Sequence, residues 1–380
     1  MKKPNLSIIT ISLTSGGAEK VVSLLLKELI KDYTVHLVLF HNHIHFDIPR
    51  EVNVEILGDD NPNKPLYLKI VDFFKFIVRY SRLIKKYNIL YSISFLAFPN
   101  LINGIIASVN KIPKTIISER GFPTDNTTSK ASFYISKIFY PILYNKCDKL
   151  FSNSYFINAD LKNNFGVKIP MQVIYNPIEV PKSIVDPLAL NKEINSLKLI
   201  TAGTLNTRKN QIMIIRAIEK SKLSYQLNIL GGGPLKSFLY NEVSRRNLNE
   251  QVQFSGMVKN VNEHLAKSHI FVLSSFTEGF PNALLEAMSV GLPCISTNCL
   301  SGPLELLHDN KTIEINNGEF FKGDYGILIN NDDHVALQNA LDYFHNNPKE
   351  RSKYSELGVQ RSKKYLLNSV YKELNHFIRN

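Results

Sequence analysis

The chain has little cysteine and no arrangement that would use it. Its three cysteines, Cys147, Cys294 and Cys299, form no Cys-x-x-Cys pair and have no histidine at ligand spacing. That pattern excludes a disulfide scaffold and a structural zinc site, and it points to a reducing compartment. No uninterrupted apolar run reaches the roughly 18 residues of a bilayer span. No signal peptide is expected, because Met1-Lys2-Lys3-Pro4 leads straight into a strand-like run, Leu6–Ile11. Neither a Gly-x-Gly-x-x-Gly fingerprint nor an Asp-x-Asp pair occurs, and there is no short repeat or low-complexity tract.

At 380 residues, 44% of them hydrophobic, the chain is too long for one average core. Its length suits two α/β domains. Short apolar runs alternate with helical patterns in two successive series, which predicts two parallel-sheet units. The first series comprises Leu6–Ile11, Thr34–Phe40, Ile89–Phe95, Thr115–Ser118 and Leu150–Ser154. The second comprises Leu197–Gly203, Tyr225–Leu230, Val252–Phe254, Ile270–Leu273, Pro293–Ser296 and Gly326–Ile329. Glu179–Ser196, proline-containing and of mixed polarity, reads as a linker, with the boundary near 180–195. Val335–Phe344 and Glu350–Arg379 read as helices. The net charge of +12 is uneven: basic residues exceed acidic ones by eight in residues 1–180 and by four in the remainder. A basic first half suits an anionic partner such as a membrane surface, a diphosphate lipid or a nucleic acid.

The chemistry concentrates after the buried run Ile270–Leu273. Ser274-Ser275-Phe276-Thr277-Glu278-Gly279-Phe280 forms a loop, Pro281 suits a first helical turn, and a helix runs over Ala283–Met288 before Gly291. The helix start and Gly279 offer backbone N–H groups to an anion or to sugar hydroxyls. Glu278 is placed at the rim of the loop. Glu286, flanked by Leu284, Leu285, Ala287 and Met288, is placed looking into a cleft, where a carboxylate can accept both hydroxyls of a ribose. Similar strand-to-loop transitions occur at Gly16-Gly17, at Gly203 before Thr204–Asn210, at Gly231-Gly232-Gly233 and at Ser255–Val258. Ser301-Gly302-Pro303 offers another helix start, with Glu305 in its first turn.

Glu278 and Glu286, set in Glu-Gly-Phe-Pro-Asn-Ala-Leu-Leu-Glu, resemble the EX7E motif of family 4 glycosyltransferases. The likeness continues through Gly291-Leu292-Pro293 and Ser301-Gly302-Pro303-Leu304-Glu305. It is closest to the bacterial branch that builds O-antigen, capsule and related envelope glycans. The resemblance implies a GT-B fold: two Rossmann-like domains whose parallel sheets face across a cleft, and a C-terminal helix crossing back. It divides the chain into an acceptor domain over 1–180, a nucleotide-sugar domain over 195–364 and a final helix over 365–380. It implies a retaining hexosyl or N-acetylhexosaminyl transfer from a nucleotide sugar, UDP-linked in this branch, to a lipid-diphosphate-linked glycan, with no cofactor.

The family's roles carry over residue by residue. Lys209 matches the lysine that binds the donor diphosphate, whereas Thr204 stands where an arginine is usual, so Arg208 is the substitute. With Glu278, these two form the catalytic set. Donor binding falls to Gly16, Gly17, Gly203, Lys209, Gly232, Val258, Glu278 and Glu286, with the backbone N–H groups of Gly279, Phe280 and Asn282. The absence of Asp-x-Asp implies a metal-independent reaction in which cations and helix N-termini hold the leaving group. Many relatives place a histidine near 118–120. This chain has Ser118-Glu119-Arg120 there, and Glu119 and Arg120 either pair with each other or face the acceptor.

Two basic helical segments carry a wide apolar face. Residues 64–87 interleave Phe73, Phe74, Phe76, Ile77 and Val78 with Lys75, Arg79 and Arg82. Ser129–Lys146 does the same with Phe133, Ile135, Ile138 and Phe139 around Lys137, interrupted by Pro141. Each is a core helix with solvated cations or a contact for anionic headgroups. The expected setting is therefore cytoplasmic, peripheral on the inner face of the membrane, with no nucleic acid partner. His41, His43 and His45 lack an acidic or cysteine partner and read as loop histidines. The competing functions are a non-catalytic membrane-associated scaffold of the same fold and a nucleotide-sugar epimerase.

Overall fold

The computed structural model describes residues 3–58, 65–110, 112–125 and 130–380. The expected helix starts at 64 and 129 lie outside the described residues. The chain divides into two compact units, Met1–Pro177 with Leu367–Asn380, and Ile178–Leu366.

The first unit runs β1 (Asn5–Thr10), α1 (Gly17–Asp32), β2 (Thr34–Leu39), β3 (Asn53–Ile56), α2 (Leu66–Tyr87), β4 (Tyr91–Phe95), α3 (Ala97–Val109), β5 (Lys114–Glu119), α4 (Lys130–Leu143), β6 (Lys149–Ser152), α5 (Tyr155–Phe165) and β7 (Met171–Val173). Its strands are all parallel, in the order β3-β2-β1-β4-β5-β6-β7. β1, β2, β4 and β5 are buried on both faces, as a sheet covered on both sides requires. One face is apolar, with Leu6, Ile8, Leu37, Ile93 and Ile116. The other includes the buried hydroxyls of Ser7, Ser92 and Ser94, which hydrogen-bond with Tyr80, Asn103 and Asn100. On one face lie α1 and the chain's last helix. On the other, α3 packs against both α2 and α4.

The second unit runs α6 (Pro187–Leu190), β8 (Ser196–Ala202), α7 (Gln211–Lys220), β9 (Ser224–Leu230), α8 (Lys236–Arg245), β10 (Val252–Gly256), α9 (Val261–Leu265), β11 (Ile270–Leu273), α10 (Asn282–Val290), β12 (Cys294–Thr297), α11 (Pro303–His308), β13 (Phe320–Lys322), β14 (Ile327–Ile329), α12 (His334–Asn346) and α13 (Pro348–Ser362). Its order is β10-β9-β8-β11-β12-β14-β13. Here β13 is antiparallel to β14. Its core gathers Leu199, Ile214, Leu227, Val272, Ile295 and Leu337.

Several expectations change. The segment read as a linker belongs to the second unit: α6 packs on α13, and Val185 N–H donates to the Val290 carbonyl at 2.8 Å. Glu350–Arg379 is interrupted, because a 3-10 turn at Lys363–Tyr365 and an extended Leu366 separate α13 from α14 (Leu367–Arg379). α14 belongs to the first unit, where Tyr371 Oη donates to Asp32 at 2.5 Å and Arg379 pairs with Asp32 at 3.0 Å. α4 continues through Pro141 to Leu143 before tightening into a 3-10 turn.

In each sheet the strand order reverses at one place, between β1 and β4 and between β8 and β11. Open α/β sheets bind ligands outside the carboxyl ends of their strands at such a switch point, because the loops there diverge. In the second unit the diverging loops are 203–210 after β8 and 274–281 after β11.

Candidate active site

The two loops of the second unit are bonded to each other. Phe276 N–H donates to the Arg208 carbonyl at 2.8 Å and Ser274 Oγ to the Lys209 carbonyl at 2.7 Å. Lys209 Nζ then reaches Glu278 Oε1 at 2.5 Å, and Ser275 Oγ donates to the same oxygen at 2.5 Å. Glu278 is thus not at an exposed rim: its residue is only 5% exposed, and it is the buried counter-ion of Lys209. Burial alone would raise its pKa. The Lys209 charge and hydrogen bond, the Ser275 hydroxyl and the Arg208 charge outweigh burial and hold the carboxyl below its ordinary value. Arg208 is exposed. The second unit therefore presents one paired and one exposed cation beside a carboxylate kept ionised.

The 274–281 loop is braced from the next strand. Thr297 Oγ1 donates to the Ser275 carbonyl at 2.6 Å, and Ser301 Oγ to the Gly279 carbonyl at 2.5 Å. Phe280 turns its ring inward against Tyr365, with centroids 5.8 Å apart, so only its backbone can face a ligand. Asn282 opens α10, Pro281 occupies the capping position, and Glu286 is buried one turn on. Glu305 is buried in the first turn of α11.

The Gly231-Gly232-Gly233 turn needs its outer two glycines more than Gly232. Gly231 and Gly233 have φ of +130° and +155°, and a Cβ on either would lie 2.0 Å from the Gly203 carbonyl oxygen or 2.5 Å from that of Leu205. A Cβ on Gly232 would meet only Met257, at 3.4 Å. Val258 follows in a half-buried turn after β10.

In the first unit, Gly16 caps α1 and Gly17 is its first residue. The carboxylate of Glu19 folds back over Gly16, where a Cβ would lie 2.2 Å from Oε2. The helix N-terminus is thus already faced by an acid of its own chain. Glu119 and Arg120, at the end of β5, are adjacent but form no ion pair. Glu119 accepts from Tyr144 Oη at 3.0 Å and from the Arg120 N–H at 3.3 Å. The Arg120 guanidinium lies 4.9 Å from both the Phe95 and Phe151 rings and donates Nη1 to Asn176 Oδ1 at 2.8 Å. Sequence reasoning missed Ser275, Tyr144, Asn153 and Asn176. Ser275 stood three residues from Glu278 and was findable, whereas the others come from distant strands and helices.

Burial lifts Glu119 to about 7 from an ordinary 4.5, with Tyr144, the backbone N–H groups of Arg120 and Gly121, and Asn100 pulling it partway back. A carboxyl raised on folding favours the folded state below about pH 4.5 and loses that contribution as pH rises through 7. Glu119→Gln escapes the loss. We expect its thermal midpoint to gain on wild type between pH 4.5 and pH 8, by up to about 3 kcal/mol of stability. An equal difference at both pH values would disprove this.

Among the described residues no three His, Cys, Asp or Glu side chains gather as metal ligands. No helix among them is long and apolar enough to cross a membrane. His41, His43 and His45 lie in the loop after β2, the last two exposed.

Two doubly wound units, with cationic and acidic loops at the switch point of the second, define the GT-B class of sugar-transferring enzymes. Solved structures agree: Anabaena HepE, in complex with UDP and glucose, matches with a TM-score of 0.77 at 13% identity over 99% of each chain. The lipopolysaccharide outer core galactosyltransferase WaaB matches with 0.74 at 18% identity over 98% of each. The family profile described as Glycosyltransferase Family 4 matches residues 15–181, and that described as Glycosyl transferases group 1 matches 188–361. A Campylobacter jejuni relative, N-acetylgalactosamine-N,N'-diacetylbacillosaminyl-diphospho-undecaprenol 4-alpha-N-acetylgalactosaminyltransferase, is 27% identical over 95% of both chains. The Escherichia coli lipopolysaccharide 1,6-galactosyltransferase is 26% identical over 40% of this chain and 43% of its own. The chain belongs to the family 4 glycosyltransferases, among bacterial enzymes of envelope-polysaccharide synthesis.

Proposed function

We propose that the protein transfers a hexose or N-acetylhexosamine, with retention, from a UDP-sugar to a glycan carried on a lipid diphosphate. The observation that carries this reading is the Lys209–Glu278 pair, which joins two loops at the switch point of the second unit. In this reading Lys209 and Arg208 hold the donor diphosphate and replace a divalent ion. Glu286 takes the ribose and Glu278 the sugar hydroxyls. The N–H groups of Gly279, Phe280 and Asn282, with Gly203, Gly232 and Val258, line the nucleotide. Gly16 and Gly17 are assigned to the donor, and Glu119 and Arg120 to the acceptor. The acceptor class is supported by the named substrate of the Campylobacter relative, and UDP by the ligand of HepE.

Membrane attachment belongs to the same proposal. Both α2 and α4 bury one edge and leave large apolar side chains outside: Phe74 is 61% exposed, Val78 49%, Tyr134 62% and Ile138 56%. A groove of about 450 Å³ on α2 is lined by Val71, Phe74, Lys75, Val78, Arg79 and Arg82. Apolar side chains ringed by cations match an anionic lipid surface. Phe74→Glu with Ile138→Glu should abolish co-sedimentation with phosphatidylglycerol vesicles while leaving turnover on a soluble short-chain acceptor unchanged. Retained sedimentation would remove the membrane from the proposal.

The direct test supplies radiolabelled UDP-, GDP- and CMP-sugars with an undecaprenyl-diphosphate-linked glycan. Label should pass from a UDP-sugar to the lipid fraction with its anomeric configuration kept, and chelator should not slow it. Transfer from none of them would leave a scaffold, and epimerised UDP-sugar formed without acceptor would leave an epimerase. Loss of turnover under chelator would refute the metal-independent mechanism.

A further inference from the structure

At the carboxyl ends of β5 and β6, buried hydrogen-bonding groups are left without partners inside the first unit. Arg120 is only 8% exposed, and its Nε has no acceptor. Nη1 is held by Asn176 Oδ1 at 2.8 Å, and no acceptor from the described residues meets Nη2. Asn153 is 2% exposed and donates Nδ2 to the same Asn176 oxygen at 3.3 Å, while its own Oδ1 accepts nothing. One asparagine thus fixes a guanidinium and an amide side by side. What remains free is the Nε–Nη2 edge of the arginine, which suits two-pronged contact with an oxyanion, and next to it a single acceptor.

Leaving such groups buried and unmet is costly, on the order of 1–3 kcal/mol each and more for a charge. The stacking of Phe95 and Phe151 on the guanidinium stabilises its faces and leaves that edge unmatched. The nearest acid, Glu119, is committed to Tyr144 and to backbone N–H groups. No carboxylate among the described residues forms an ion pair with Arg120, so the unit holds a buried cation that wants an anion.

We infer that Arg120 and Asn153 form a recognition site for the glycosyl-phosphate portion of the acceptor: the phosphoryl oxygens bind the Nε–Nη2 edge, and a hydroxyl or amide N–H of the attached sugar donates to Asn153 Oδ1. This rests on the transferase reading above and narrows it. An acceptor is then selected for the phosphate at its reducing end as well as for the hydroxyl that reacts. A sugar nucleotide contains the same glycosyl-phosphate unit, so the test must separate donor from acceptor.

Binding is measured first, independently of turnover, by calorimetry with N-acetylglucosamine 1-phosphate and with inorganic phosphate. Arg120→Gln should weaken both by about thirty-fold. Asn153→Ala should weaken the sugar phosphate by about tenfold and leave inorganic phosphate unchanged. Arg120→Lys keeps the charge but loses the edge, so it should recover only part of the affinity. Circular dichroism confirms that each variant is folded, and Asn153→Ala keeps the site testable if Arg120 variants are not. Kinetics then assign the source. Arg120→Gln should raise KM for the diphosphate-linked acceptor and leave KM for the donor and for a phosphate-free glycan acceptor unchanged. Unaltered binding of both probes overturns the inference, and so does a rise in donor KM alone. A wild-type enzyme that binds the probes through Arg120 yet transfers nothing would count against the transferase reading and not against the site.

Discussion

Lys209→Met should lower kcat/KM by about a thousand-fold, the loss seen when a preorganised group facing developing charge is removed. The methionine keeps the stem and deletes the ammonium that lies 2.5 Å from Glu278. The same change should destabilise the second unit by about 3–5 kcal/mol, because it strands a buried carboxylate. With the cation gone, burial is the largest influence left on Glu278, and its pKa should move up instead of down. Glu278→Gln added to Lys209→Met removes the stranded charge, so the double variant should regain stability but not turnover. That separation distinguishes a catalytic pair from a structural one. Thermal midpoints and steady-state kinetics on the four proteins of the cycle decide it. Activity within tenfold of wild type in Lys209→Met, or activity returning with stability in the double variant, would reduce the pair to a brace. Glu278→Ala is the poorer probe, since it leaves the Lys209 ammonium unpaired and loses stability for that reason alone.

What was legible in the sequence follows from how far apart the cooperating residues lie. Ile270–Leu273, the loop and α10 are contiguous, so strand, turn and helix could be placed from a single string, Pro281 included. The β/α alternation showed both sheets because parallel strands buried on two faces are mostly apolar, even where serines such as Ser92 and Ser94 are buried among them. Glu278 was identified but misplaced at a rim. Its burial depends on Lys209, 69 positions earlier, and no local pattern reports such a pairing. α3 was missed because Pro99 and Gly104 mask its helical period, and β13 because it has only three residues, although its partner β14 was read within Gly326–Ile329. Composition shows no break between α13 and α14, because Lys363-Lys364-Tyr365 continues the helical pattern; only the family resemblance set a final helix apart, over 365–380.

Arg351 is the largest such omission, and its replacement should be the most damaging to folding. Read from sequence it is one cation among several on a polar helix. In the fold it is fully buried, 0% exposed. Its guanidinium donates Nε to the Leu190 carbonyl at 3.1 Å, Nη2 to that of Lys192 at 2.5 Å, and Nη1 to those of Phe344 and His345, the latter at 3.0 Å. The last two are orphan carbonyls at the C-terminus of α12, where a cation also meets the negative end of the helix dipole. The first two lie at the end of α6 and just beyond it, in the stretch that composition marked as a linker, so one side chain fixes that stretch to the core of the second unit. Arg351→Met fills the space but strands four carbonyls, at about 1–3 kcal/mol each. That total is comparable to the whole stability of a domain, about 5–15 kcal/mol. The variant should be insoluble or melt far below wild type, with proteolysis appearing first within 178–195. Arg351→Lys, with three donors on a single nitrogen, cannot span both pairs of carbonyls and should fall between the two. A midpoint for Arg351→Met within two or three degrees (about 1 kcal/mol for a unit of this size) would show that backbone packing alone holds the segment.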